Sequence, residues 1–216
     1  MERSDASRFA SMAEAIASLE RQRTTIESAA KILADAATRD ALIHIFGVDL
    51  RAAEIEGGFF FRPGRLACVN PVYDPAFSAA HGAYRSELCR ALDGLTPRIL
   101  DYYENISPGE PLLLLSLDPE STAFVQALQW ARERELRIIV MIPDVPDNPG
   151  ATEGADVVIR FGRMYDELTL YAALDELAAR AAELAPGAAV WKGNVYPDLT
   201  SCDAIIERYR WRIRHL

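Results

Sequence analysis

The stretch Pro111-Leu-Leu-Leu-Leu-Ser-Leu-Asp-Pro-Glu-Ser-Thr122 decides the fold. Leu112–Ser116 is an apolar run without alternation, fed by the turn Ser107-Pro-Gly-Glu-Pro111, so it reads as a strand buried on both faces. Asp118-Pro-Glu then opens a helix expected to reach about Arg134, with Asp118 as its N-cap and Pro119 at the first helical position. Arg137–Ile142 is apolar again and reads as the next strand. Strand, helix and strand in so short a span make a βαβ unit, which implies parallel strands.

The same alternation extends outward in both directions. Upstream, Ala41-Leu-Ile-His-Ile-Phe-Gly47 is a short buried strand and Asp49 to about Phe60 a helix closed by Arg62-Pro-Gly64. Leu66–Val69 reads as a strand and Asn70-Pro-Val-Tyr-Asp-Pro75 as loop. Arg85–Leu92 and Pro97–Tyr103 read as helices. Downstream come loop 143–150, strand 156–161, helix 166–184, an irregular stretch 186–201 and a last helix over 203–215. Before all of these, residues from about 7 to 38 form one long helix or two, with Phe9, Met12, Ile16 and Leu19 recurring at steps of three and four and Ile26, Ala30 and Leu33 continuing the stripe. The expected architecture is therefore a single α/β domain over 1–216, a three-layer α/β/α sandwich with a mainly parallel sheet. Its parts are an N-terminal helical segment (1–38), an α/β core (41–184) and a C-terminal tail (186–216).

Composition narrows the function. The chain has 216 residues and a formal charge of −9, which argues against nucleic acid as a partner of the whole surface. Cys68, Cys89 and Cys202 are odd in number and form no CxxC, so neither a disulfide framework nor a zinc ribbon is indicated, no metal site is expected, and a reducing cytoplasmic location fits. No apolar run approaches the ~20 residues of a membrane span. The turn after Gly47 lacks G-x-G-x-x-G, which counts against a dinucleotide, and no cofactor is expected.

In an open α/β sheet, ligands bind beyond the carboxyl ends of the strands, where helix N-termini offer free amides. Two turns qualify: Phe46-Gly-Val-Asp-Leu-Arg51 and Leu115-Ser-Leu-Asp-Pro-Glu-Ser-Thr122. The candidate ligand-binding residues are accordingly Gly47, Asp49, Arg51, Ser116, Asp118, Ser121 and Thr122.

These turns and the strand spacing resemble the sugar-isomerase (SIS) domain, and most nearly a bacterial branch of it associated with phosphoheptose isomerase. The resemblance runs in order through Phe46-Gly47, Ala53-Glu54, Arg62-x-Gly64, Val69-Asn70-Pro71, Asp74-Pro75, His81-Gly82-Ala83, Arg85-Ser86, Asp93-Gly94, Gly193-Asn194-Val195 and the segment Ile206–Leu216. It implies a phosphosugar-binding protein, a homodimer and, where active, an aldose–ketose sugar-phosphate isomerase. The alternative is a SIS-fold binding or regulatory module, or a structural dimer, without catalysis. The sequence departs from the family pattern at the residues that should cradle phosphate. In the first turn Asp49 stands at the second Gly of G-x-G-x-S and Arg51 at its Ser. In the second, of the form S-x-S-G-x-T, Asp118 replaces the central Ser and Pro119 the Gly. An Asp at an N-cap accepts the amides that a phosphate would need and adds negative charge. Arg51 would offset it, either by gripping the phosphate or by pairing with one of the two Asp.

Isomerisation needs acid and base groups with pKa values near neutrality, and the resemblance points to His81 with Glu54 as its carboxylate partner. His44 lies inside a strand run and reads as a satisfied core histidine; His215 sits in the last residues, where disorder is the default unless the tail folds over a neighbouring subunit. Arg208, Arg210, Arg212 and Arg214 alternate with Tyr209, Trp211 and Ile213, a pattern read as a docked tail rather than as an RNA-binding segment.

Overall fold

The computed structural model describes residues 7–144 and 152–216. Helix α1 (Arg8–Ala17) passes through a 3-10 turn (Ser18–Gln22) into α2 (Arg23–Thr38), so the first segment is two helices. Then follow β1 (Ile43–Gly47), α3 (Leu50–Glu56), β2 (Val69–Pro71), a 3-10 turn (Ala79–His81), α4 (Ala83–Arg90) and α5 (Leu95–Tyr102). The second half holds β3 (Pro111–Leu115), α6 (Thr122–Glu133), β4 (Arg137–Pro143), β5 (Val157–Phe161), α7 (Asp166–Leu184) and α8 (Asp203–Tyr209). The expected loop 143–150 lies largely outside the described residues.

All five strands are parallel, in the order β2-β1-β3-β4-β5. The order reverses between β1 and β3, and the crevice at their carboxyl ends is where a doubly wound sheet takes its ligand. The strands are buried on both sides. Ile43, Ile45, Leu113, Leu115, Ile139 and Met141 pack against α2 and α7, with Leu33, Leu170 and Leu177 meeting them. Phe46, Leu112, Leu114, Ile138 and Val140 face the other way, onto Leu100 of α5 and Phe124, Ala127 and Ala131 of α6. This is the three-layer sandwich expected from the unalternating strands.

Three local expectations are corrected. The edge strand lies at Val69–Pro71, not Leu66–Val69. Asn70 and Pro71 had read as loop because Pro lacks an N–H, but β2 is an edge strand: Val72 N–H donates to Ile45 O at 2.9 Å, which turns the Pro71 nitrogen to the open side, where no donor is needed. Helix α6 begins at Thr122, three residues later than the expected first position Pro119; Ser121, not Asp118, is its N-cap, accepting from Phe124 N at 3.3 Å. Finally, α8 stops at Tyr209 and the chain continues as turns.

His44, a fully buried β1 residue, is the satisfied core histidine expected. Its Nδ1 accepts from Asn70 Nδ2 at 3.0 Å, so its Nε2 carries the proton and donates to Glu110 Oε2 at 2.9 Å. The tail is ordered against its own chain. Arg208 and Arg212 both pair with Asp40, Tyr209 Oη donates to the same carboxylate at 3.0 Å, and His215 reaches Tyr103. No helix among the described residues is long and apolar enough to cross a membrane.

Candidate functional site at the carboxyl ends of β1 and β3

Gly47 ends β1. A Cβ there would lie 2.4 Å from the Ala52 carbonyl carbon and the Ala53 nitrogen, so only glycine lets α3 start this close to the strand. Asp49 follows in extended conformation and caps α3, with its Oδ1 accepting from Ala52 N at 3.0 Å. The capping role expected for Asp49 is therefore present, and the residue does more. Its Oδ2 accepts from Leu117 N at 2.7 Å and from Ser116 Oγ at 3.1 Å, both in the turn after β3. One buried carboxylate thus bridges the two turns that were read separately in the sequence. Ser116 Oγ passes the network on by accepting from Asp118 N at 3.0 Å.

Asp118 is not an N-cap. Its Oδ2 is held by Arg90 Nη1 at 2.6 Å, and Arg90 also holds Glu87 at 2.7 Å. Burial works to lower the pKa of Arg90, but its two carboxylate partners raise it above the ordinary guanidinium value, so it remains a cation. The Asp-Pro-Glu segment forms an extra turn, closed by Ser121 N donating to Asp118 O at 3.1 Å, before the helix starts at Thr122. Ser121 uses its own hydroxyl as the cap, and Thr122 is half-buried at the first helical position. Arg51 meets neither Asp49 nor Asp118: it pairs with Glu167 at 2.8 Å, both side chains being about half exposed. The expected pairing of Arg51 with one of the two Asp does not arise: Asp49 has three donors and Asp118 has Arg90.

Beneath the first turn, Gly47 N donates to Oε2 of Glu56, a fully buried carboxyl group. Burial pushes the pKa of Glu56 well above the carboxylate range, with the Gly47 amide pulling weakly the other way. Gly47 N, Ala52 N and Leu117 N, amides of the two turns and the start of α3, each already hold a carboxyl oxygen of this chain.

His81 lies in the 3-10 turn before α4 and Glu54 on the outer side of α3. Both are exposed, and neither takes part in a hydrogen bond or ion pair among the described residues. Sequence reasoning missed Arg90 and Glu56. Glu56 had a signal, since it stands four residues after Ala52 on the buried side of a short helix. Arg90 had none, because its partner Asp118 is 28 residues away and met only in the fold. No group of three or more His, Cys, Asp or Glu among the described residues is placed to hold a metal ion.

An open parallel sheet with polar groups gathered at a topological switch point is the arrangement in which α/β proteins take small ligands. The SIS domain family model matches residues 9–142, well over half the chain, and the chain belongs to that family. UPF0309 proteins are similar over 125 residues: one from Brucella ovis is 29% identical and one from Thermoanaerobacter pseudethanolicus 26%. These matches cover 56% of this chain and 50% and 49% of the two relatives, so the chain spans about half the length of the curated relatives it matches. Among solved structures, a phosphoheptose isomerase from Francisella tularensis superposes with a TM-score of 0.60 at 12% identity, covering 81% of this chain and 94% of the other. One from Neisseria gonorrhoeae gives 0.59 at 13%, covering 82% and 94%. Identity this low establishes a shared fold.

Proposed function

We propose that this protein is a SIS-type binding module for a carbohydrate derivative held through its hydroxyls rather than through a phosphate, and that it does not isomerise its ligand. The observation that carries this reading is Asp49. A phosphate at a helix start is held by bare amides and hydroxyls. Here a carboxylate of the chain accepts from Ala52 N, Leu117 N and Ser116 Oγ in that place. A phosphate brought into the same crevice meets this buried negative charge and finds the donors already taken. What remains for a ligand is polar and suits sugar hydroxyls: Ser121, Thr122, Asp118 and the Arg90 guanidinium.

The test is thermal-shift binding with sugar phosphates, the matched sugars without phosphate, and inorganic phosphate. It is run on the native protein and on Asp49→Ser, which keeps a side-chain cap on α3. The native protein is expected to respond to carbohydrate derivatives but not to inorganic phosphate, and Asp49→Ser to gain a phosphate response. A native protein that answers inorganic phosphate as strongly as the variant overturns the reading.

One observation favours a second reading, aldose–ketose isomerisation by His81 and Glu54. Both side chains are exposed and unengaged, as acid and base groups awaiting substrate would be. Turnover of a bound sugar phosphate that is lost in both His81→Ala and Glu54→Gln would establish it over the first. The homodimer belongs to the same proposal: α1 buries no residue, and Phe9 and Ile16 are 83% and 40% exposed along its apolar face. A monomeric solution mass overturns that part.

A further inference from the structure

Away from the crevice, the end of the tail and the end of α5 enclose a shallow cavity of about 320 Å³, lined by Tyr102, Glu104, Asn105, Trp211, Arg212 and Arg214. Trp211 is 82% exposed and Tyr102 62%. Two large rings left open side by side are unusual, since their burial is among the strongest apolar contributions available to a chain. Each has a guanidinium over its face. Arg210 lies 4.7 Å from the Trp211 ring centre, and Arg214 lies 3.6 Å from that of Tyr102.

The charges here are arranged unevenly. Arg212 is anchored to Asp40 at 3.0 Å, and Asp40 already serves Arg208. Arg214 makes no ion pair among the described residues; one of its N–H groups donates to Tyr102 O at 2.9 Å and the others are free. Opposite it, Glu104 is exposed and also unpaired. Asn105 donates to Arg212 O and keeps a buried Oδ1 with no donor. The cavity thus offers aromatic faces, a cation with spare N–H groups and a free carboxylate within one small space.

We propose that this cavity binds a nucleoside monophosphate. The base stacks on the exposed Trp211 ring, as bases do on protein aromatics. The phosphate takes the free N–H groups of Arg214, with Arg212 adding charge. Glu104 accepts from the ribose hydroxyls, the role a carboxylate plays in ribose recognition. None of these residues belongs to the crevice at β1 and β3, so the proposal stands or falls apart from the one above.

Trp130 and Trp191 are 6% and 1% exposed, which leaves Trp211 as the fluorophore open to a ligand. Titration of the whole protein with AMP is expected to quench tryptophan emission saturably, with half-saturation below about 1 mM. Adenosine, ribose 5-phosphate and inorganic phosphate are each expected to bind at least about tenfold more weakly, because adenosine lacks the phosphate contact, ribose 5-phosphate the base contact, and inorganic phosphate both the base and ribose contacts. Arg214→Gln should weaken AMP about tenfold, since it loses the charge-assisted contact. Should that variant loosen the tail, Glu104→Gln provides the second arm: Glu104 has no internal partner, and its loss is expected to weaken AMP roughly threefold without moving Tm. Absence of saturable quenching by AMP overturns the proposal, and so does adenosine binding as tightly as AMP. A short single-stranded oligoadenylate binding tenfold tighter than AMP also overturns it, in favour of an RNA surface.

Discussion

The two ends of β1 each meet a carboxyl group, one partly buried and one fully buried, and the two groups behave in opposite ways. At the amino end, Glu110 accepts from Leu42 N at 3.0 Å, Ser107 N at 2.8 Å and His44 Nε2 at 2.9 Å. At the carboxyl end, Glu56 has the Gly47 amide alone. Burial acts on both to disfavour the charged form. At Glu110 the three donors outweigh it and hold the pKa below the ordinary 4.5; at Glu56 burial wins and the pKa is raised well above it. Glu56 is fully buried with one donor and Glu110 only partly buried with three, so depth and donor count both push the two groups apart. The amino end is a closed structural clasp. The carboxyl end keeps a carboxyl group whose charged form burial disfavours, under the turn that carries Asp49.

The sharpest way to break this contrast is Glu110→Ala. It strands two backbone amides and the His44 ring, and about 3 kcal/mol of stability should be lost in urea unfolding at pH 7. The pH dependence follows from the sign of the shift. A carboxylate with a depressed folded pKa stabilises above its unfolded value, and that stability is lost as pH falls through the folded one. The native protein should therefore weaken below about pH 4.5, and Glu110→Ala should show a flatter acid limb. An equal slope in both would mean the clasp is not the titrating element.

Asp49→Ser comes next in size. It breaks the bridge to Leu117 N and Ser116 Oγ but keeps a cap, and should cost roughly 1–2 kcal/mol. A loss below a few tenths would show that the two turns are not tied through Asp49. Glu56→Gln works in the other direction. A folded pKa raised above the unfolded value gives stability that is complete below the unfolded 4.5 and is lost as pH rises through the folded value. A neutral amide escapes that loss while still accepting from Gly47 N. The variant should gain roughly 2–4 °C in Tm at pH 8 and little at pH 4. The same gain at both pH values would point to packing, not charge.

Much of this was legible in the sequence, for reasons that particular residues make plain. Leu112–Leu115 and Ile43–Phe46 are apolar without alternation, which only a sheet covered on both faces requires. The crevice followed from strand order and the two Asp-bearing turns. The α6 start was misplaced because Asp118-Pro119 is as good a helix opening as Ser121-Thr122 by local rules. Arg90, on another helix, draws the Asp118 side chain away. The bridge from Asp49 to Leu117 N was hidden for a similar reason: a cap is a local signal, whereas a carboxylate's second oxygen answers to whatever the fold brings near it. The tail misled in its last turn. Its helical spacing suggested a helix to His215, but Asp40, Tyr102 and Tyr103 capture Arg212, Arg214 and His215 from outside that helix.

That capture gives the smallest effect and the finest test of the contrast, because His215 is a base where Glu56 and Glu110 are acids. Tyr103 Oη donates to Tyr73 O at 2.8 Å, so its one proton is used and His215 Nε2–H is the donor across their 2.9 Å contact. Burial, with the Arg214 charge beside it, lowers the His215 pKa from the ordinary 6.5. A base with a lowered folded pKa stabilises above its unfolded value and loses that contribution as pH falls through the folded one. His215 is only partly buried, so solvent screens the effect to a few tenths of a kcal/mol. Between about pH 7 and 5.5 the native protein should lose that much, and His215→Gln, which still donates to Tyr103 but does not titrate, should lose none. Urea midpoints at the two pH values, compared between native and variant, measure the difference directly. A variant with the native slope would place the titration elsewhere.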